Sequence, residues 1–194
     1  MSKKLLFVAL LAVATVFSVS AQKFKKGSID FLKTQNEVNM VFNFEGVTID
    51  GDPEEKHVKE RMADEKTSEE AEEWKGKWYG EWRESYKKNL TKYCNDELKG
   101  LTVGTYPDAQ YTVMVKIIDI DPGNYAGPFS NPSKLRASFK VIKTGEENDV
   151  LALLEVKNSY NPISAMQPVE YLRIEMGFGE LGKEFAKQIN KAIK

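Results

Sequence analysis

Between Trp74 and Leu98 the chain places Trp78, Tyr79, Trp82, Tyr86, Leu90, Tyr93 and Cys94 at helical spacing, with Lys, Glu and Asn between them. Apolar residues recurring every three or four positions mark one face of an α-helix, and an aromatic face opposite a charged one is expected to be covered by another element. At about 100° per residue, Trp82, Tyr93 and Tyr86 fall roughly 40° to 80° round from Trp78, which predicts them at the centre of the buried stripe. Trp74 falls about 40° to the other side, so its truncation is expected to cost little beside that of Trp82. Gly76 and Gly80 each weaken the early turns by about 1 kcal/mol relative to alanine, which predicts a break or a late start there. Gly100 supplies the stop, and Cys94 reads as a small apolar residue on the same face. As an open platform the stripe would stack sugars or other planar ligands; the charged opposite face favours a core role for most of it.

The covering element is a sheet. In 38–46, Val38, Met40, Phe42 and Phe44 alternate with Asn39, Val41, Asn43 and Glu45, and with 27–35 this predicts a hairpin about Gln35-Asn36-Glu37. Asp52, Pro53 and Glu55 then read as N-cap, first helical residue and capping-box partner. Residues 53–72 carry mostly Glu, Lys and Asp, and are expected to form an acidic helical or mobile insertion. Strands follow at 110–120, 135–142 and 150–156, the last two joined by an acidic turn. Phe178, Leu181, Phe185, Ile189 and Ile193 mark an amphipathic final helix, whose start is blurred by Leu172, Ile174 and Met176 at strand spacing and by Gly177 and Gly179. The expected fold is α+β: a mostly antiparallel sheet of about five strands with two long helices packed on one face.

The N-terminus reads as an export signal. Lys3 and Lys4 precede the apolar run Leu5 to Val16, and Val19-Ser20-Ala21 presents small residues to a peptidase, so cleavage is expected after Ala21. Residues 1–21 are then a signal peptide and 22–194 a single α+β domain without a transmembrane segment. Acylation needs a cysteine at the cleavage point, and Cys94 is the only one in the chain; the expected destination is the periplasm or the exterior, without a lipid anchor. Losing Lys3 and Lys4 leaves 26 of the 28 basic residues against 29 acidic ones, a net charge of −3, which gives no electrostatic basis for binding nucleic acid or anionic membrane.

Little in the sequence suggests catalysis. His57, the sole histidine, sits in the acidic segment and reads as a surface residue, and no His or Cys pair offers a metal site or a triad. No cofactor is expected. Asp119 and Asp121 share one face at a strand end, where ordinary turn chemistry before Pro122-Gly123 accounts for them. The irregular loop from Asp121 to Ser133 is the place where a rigid sheet would present a ligand site, with Asp121, Asn124, Tyr125 and Phe129 as candidates.

The stretch from Tyr111 through Asp121-Pro122-Gly123, then Leu135 to Val156, Arg173 and Gly179-Glu180-Leu181-Gly182-Lys183 to Lys191, resembles a group of small exported Bacteroidetes proteins of unknown function. That resemblance implies an envelope domain in which two helices pack on one sheet, and it alone marks Arg173 as a possible anion partner. The expected function is a non-catalytic envelope protein that binds an envelope protein, a glycan or a lipid-like partner, with the oligomeric state open. The alternative is a carboxylate-dependent hydrolase acting on glycans. A pocket gathering buried, pKa-shifted carboxylates would favour the enzyme, an exposed groove or apolar patch the binder.

Overall fold

Parallel strand neighbours need a long crossover between them, and this chain spends its first helices on one. The computed structural model describes residues 24–194; the expected signal peptide and its cleavage point lie outside them. The chain runs through β1 (Phe24–Gly27), β2 (Glu37–Asn43), β3 (Thr48–Ile49) and β4 (Asp52–Pro53), then the helices α1 (Glu54–Ala63), α2 (Ser68–Lys77) and α3 (Arg83–Glu97). It continues with β5 (Thr102–Gly104), β6 (Tyr111–Asp121), β7 (Lys134–Lys143), β8 (Val150–Lys157), the single turn α4 (Pro162–Ala165) and the long α5 (Glu170–Ala192).

The sheet corrects the expected architecture. Among the described residues it has eight strands, ordered β1-β8-β7-β6-β2-β5, with β3 and β4 attached beside β6. Pairing is mixed: β6, β7, β8 and β1 run antiparallel, whereas β2 is parallel to both β5 and β6, and β3 is parallel to β6. The expected opening hairpin does not exist. Ile29 and Leu32, both buried, are spaced for the 3₁₀ turn Asp30–Thr34, and this turn lets the chain leave β1 at one side of the sheet and enter β2 near the other. Helices beyond the two expected long ones are also present, in α1, α2 and α4.

Asp52 is not the N-cap of α1. Pro53 takes that position without a side-chain cap, and the Asp52 carboxylate instead accepts from Lys56 Nζ at 2.6 Å. The acidic segment is held at several points. Glu54 is buried, accepting from Trp78 Nε1 at 2.7 Å and from Arg83 Nη2 at 2.6 Å, while Val58 enters the core.

From α2 to α3 the helix does not break at its glycines. Trp78–Trp82 forms a π-helical turn that joins the two segments. An i→i+5 turn inserts one residue, a phase lag of about 100°, and this changes which residues face inward. Trp78 and Tyr86, roughly 80° apart on a regular helix, come within about 20° of each other. The buried line is therefore Trp78, Tyr86, Leu90 and Cys94, and the expected centre at Trp82, Tyr86 and Tyr93 is corrected to it. Trp82 and Tyr93 are half-buried, as is Trp74, which stacks on Trp78 at 5.4 Å rather than standing apart.

The core lies between the sheet and the pair α3 and α5. Val113, Val115 and Ile117 of β6, Ala137 and Phe139 of β7, and Leu154 of β8 meet Phe178, Leu181 and Phe185 of α5. Phe139 stacks on Phe185 at 3.9 Å and Tyr86 on Phe178 at 4.9 Å. Gly182 lets the helices approach until its Cα side faces the Leu90 carbonyl and the Cys94 amide directly. Gly177 and Gly179, the residues that obscured the helix start, sit inside α5 against Ser133, Leu135 and Tyr93.

Candidate functional site

At the end of the sheet where β6 and β8 finish and β7 begins, two irregular segments meet the first turns of α5. Arg173, 5% exposed, joins them. Its Nε donates to the Pro122 carbonyl at 3.0 Å, Nη1 to those of Gln167 and Pro168 at 2.8 and 3.0 Å, and Nη2 to that of Gly123 at 3.4 Å. The Arg173 carbonyl in turn accepts from Ser133 Oγ at 2.7 Å and Ser164 Oγ at 3.2 Å, and Asn158 Nδ2 donates to the Ser133 carbonyl at 2.9 Å. Burial pushes the guanidinium pKa down from its ordinary value while Glu170 opposes the shift. The donors of Arg173 are thus committed to four backbone carbonyls, which makes it a fastener between 121–133 and 158–169.

The candidate residues of the first segment divide between its neck and its tip. Asp121 accepts from the Gly123 amide at 2.8 Å and from Lys134 Nζ at 2.9 Å. Asn124 Oδ1 accepts from the Asn131 amide and side chain at 3.1 and 2.8 Å, closing an isolated bridge between those residues. Gly123 holds the neck with φ +66°, in a place where a Cβ would collide with the Asn131 and Pro132 backbone. At the tip Tyr125 is 51% and Phe129 80% exposed. The second segment adds Tyr160, Ile163, Met166 and Val169, all exposed. Sequence reasoning missed these four; the available signal was apolar side chains in a stretch of Asn, Pro and Ser with no strand alternation and too short for a helical stripe.

Beside the neck lies a cleft of about 270 Å³ that contains Asp50, Asp52, Glu60, Asp121, His57 and Glu170 among its lining. His57 is not the surface residue expected. Its side chain is 14% exposed, its ring lies 4.9 Å from that of Trp78, and Nε2 faces Glu170 Oε1 at 3.3 Å. Nε2 makes no hydrogen bond there, and the contact is an ion pair only when the imidazole carries a proton. Burial pushes the Glu170 carboxyl up, but the pull of His57, with Arg61 and Arg173, outweighs it and holds the group below the usual carboxylate range. A general acid at neutral pH needs the opposite shift. Asp119 accepts from Thr48 Oγ1 and from the Gly51 amide, so it fixes the β3–β4 turn, and Asp121 is engaged at the neck. Among the described residues no group of three His, Cys, Asp or Glu is arranged to hold a metal ion, and no helix is long and apolar enough to cross a membrane.

Fold and site together define an α+β domain with a mixed sheet and apolar groups at the tips of two fastened loops. No family model and no curated protein matches the chain. Among solved structures it is similar to the PelC dodecamer from Paraburkholderia phytofirmans, at 6% identity over 83% of this chain and 94% of that one, with a TM-score of 0.39. A second crystal form, of a single-residue variant of that protein, gives 7% identity, 85% and 94% coverage and a TM-score of 0.36.

Proposed function

We propose that this chain is a non-catalytic, exported envelope protein that docks a partner protein through the apolar tips of the loops around Arg173. The observation that carries this reading is the placement of Phe129, 80% exposed, on a loop whose neck is tied by the Asn124–Asn131 bridge and by Arg173. An exposed aromatic on a mobile loop would lose ordering entropy on binding; one on a fastened loop loses little, which suits it to be an anchor. Tyr125 is exposed on the same loop, and Ile163 and Met166 are exposed on the second segment, which Arg173 fastens through the Gln167 and Pro168 carbonyls. Five of the ten residues lining the neighbouring cleft are carboxylates against one lysine, Lys56, which disfavours an anionic lipid surface. The glycan-hydrolase alternative has less support, because Asp119 and Asp121 are bound into turns and Glu170 is shifted the wrong way for a general acid.

A photo-crosslinking residue at Phe129, in cells expressing the full chain, tests the reading. Expected is one dominant adduct that weakens with Tyr125→Ser and is absent when the crosslinker replaces Lys140, which lies on β7 away from the loops. Equal adducts at both positions would refute the docking site. Release of sugar from envelope glycan by the purified chain would refute the non-catalytic role. Mass spectrometry of fractionated cells tests export: the expected mature N-terminus is Gln22, and an intact Met1 in the cytoplasm overturns it.

A further inference from the structure

On the side of the sheet away from β1, the edge is interrupted. β5 pairs with β2 only over Glu37–Asn39, and at the other end β4 pairs with β3. The Thr102 amide donates to the Asn36 carbonyl at 2.8 Å, which fixes the even-numbered residues of β2 as those whose backbone groups face this edge. Past Asn39, the Met40 carbonyl and both backbone groups of Phe42 therefore face outward, with no strand beside them among the described residues. Exposed edges are usually blunted by proline, lysine or a bulge. Residues 37–43 contain no proline or lysine, and their pairing with β6 is regular.

The open stretch forms one wall of a groove whose other wall is the helix running through α3. Two concavities of about 640 and 710 Å³ share Val41, Phe42 and Lys87. One reaches Gly104 and Thr105 at the end of β5; the other reaches Gly46 and Glu55 at the start of α1. Val41, 40% exposed, and Tyr79, 38% exposed, offer apolar surface along the way. Charge is graded from end to end. At the β5 end Lys87 is paired with Glu84 and Lys92 with Asp96, which leaves Lys88 without an ion-pair partner among the described residues; at the α1 end Arg83 is paired with Glu54, which leaves Glu45 and Glu55 likewise unpaired.

We infer that this groove takes an extended peptide segment of a partner protein as an added strand beside β2. The segment carries a carboxylate at the Lys88 end, apolar side chains beside Val41 and Tyr79, and a basic residue at the Glu45 and Glu55 end. Main-chain hydrogen bonds to Met40 and Phe42 supply affinity, and the two charged ends set the register. The groove is separate from the loop end around Arg173, so either site can fail without the other.

The test uses isotope-labelled full chain with two blocked pentapeptides, Glu-Val-Thr-Val-Lys and Lys-Val-Thr-Val-Glu, and the uncharged control Gln-Val-Thr-Val-Gln. Both charged sequences are needed because the added strand can run in either direction. Expected is that one of them at millimolar concentration slows hydrogen exchange at the Phe42 amide by about fivefold or more, while amides around Phe129 are unchanged. Lys88→Glu, on an exposed side chain, should weaken that peptide by about tenfold with an unaltered circular dichroism spectrum. Phe42 exchange unmoved by either charged peptide overturns the proposal, as does equal protection by the uncharged one. Protection of Phe42 that rises with protein concentration alone would assign the edge to a second copy of this chain and overturn the peptide occupant.

Discussion

Substituting alanine for glycine inside a helix normally stabilises it, by about 0.5 to 1 kcal/mol, because the unfolded chain loses conformational freedom. Gly76 in α2 and Gly182 in α5 should respond with opposite signs. A Cβ at Gly76 meets nothing within 4 Å, so Gly76→Ala is expected to gain that increment. A Cβ at Gly182 would come closer than 3.0 Å to the Leu90 carbonyl oxygen and to 3.1 Å from both the Leu90 carbonyl carbon and the Cys94 amide nitrogen. Those atoms are α3 backbone, so no rotamer change relieves the clash, and the helices must separate. Overpacking of this kind costs about 1 to 3 kcal/mol, with more expected when backbone rather than side chain must move. The separation also loosens the Tyr86–Phe178 stack between the same helices. Net of the helix gain, Gly182→Ala should lose about 2 kcal/mol, a fall in Tm of roughly 4 to 8 °C for a chain of this size. Urea unfolding with matched m-values, monitored by tryptophan fluorescence and by circular dichroism, measures both variants. If Gly182→Ala is as stable as the parent, α3 and α5 do not meet at this glycine and the account of the core is wrong.

Three further outcomes are expected. Trp78→Ala should cost about 3 to 5 kcal/mol and Tyr79→Ala under about 1 kcal/mol, read by the same urea titration; similar losses would deny the phase shift imposed by the π turn. Glu54→Ala leaves the Trp78 N–H and the Arg83 guanidinium without their carboxylate and should destabilise by about 3 kcal/mol, with Glu54→Gln milder; equal, negligible losses would mean that α1 is not anchored there. The folded pKa of Glu170 lies below its ordinary value of 4.5, so its contribution is full above that value and is lost as pH falls through the folded pKa. Stability measured downward from pH 5 should accordingly fall less steeply in Glu170→Gln than in the parent, and parallel curves would exclude a paired Glu170.

The sequence by itself determined the elements whose burial repeats locally. Alternation in 111–117, 135–141 and 150–156 depends on neighbours two residues apart, and the hairpin of β7 and β8 pairs as those patterns require. The apolar spacing of Phe178, Leu181, Phe185 and Ile189 likewise placed the C-terminal helix. At the candidate site the loop from 121 to 133 was visible as a run of Gly, Pro and Asn, together with its aromatic tips.

Only the tertiary structure decided the rest, and in most cases the deciding partner lies far away in the chain. Whether β2 pairs in a hairpin or parallel to β6 depends on where the long crossover through 44–110 returns, which strand alternation does not encode. The π turn at Trp78–Trp82 adds one residue to a helix and rotates every later side chain; regular 100° arithmetic has no term for it. His57 and Glu54 looked solvated among their charged neighbours, because the partners that hold them, Glu170 for one and Trp78 and Arg83 for the other, approach only when α1 folds back. Arg173 shows the same limit: its charge was legible in the sequence, but its four carbonyl partners are brought together by two loops about fifty and six residues away, and a backbone carbonyl leaves no mark on a sequence.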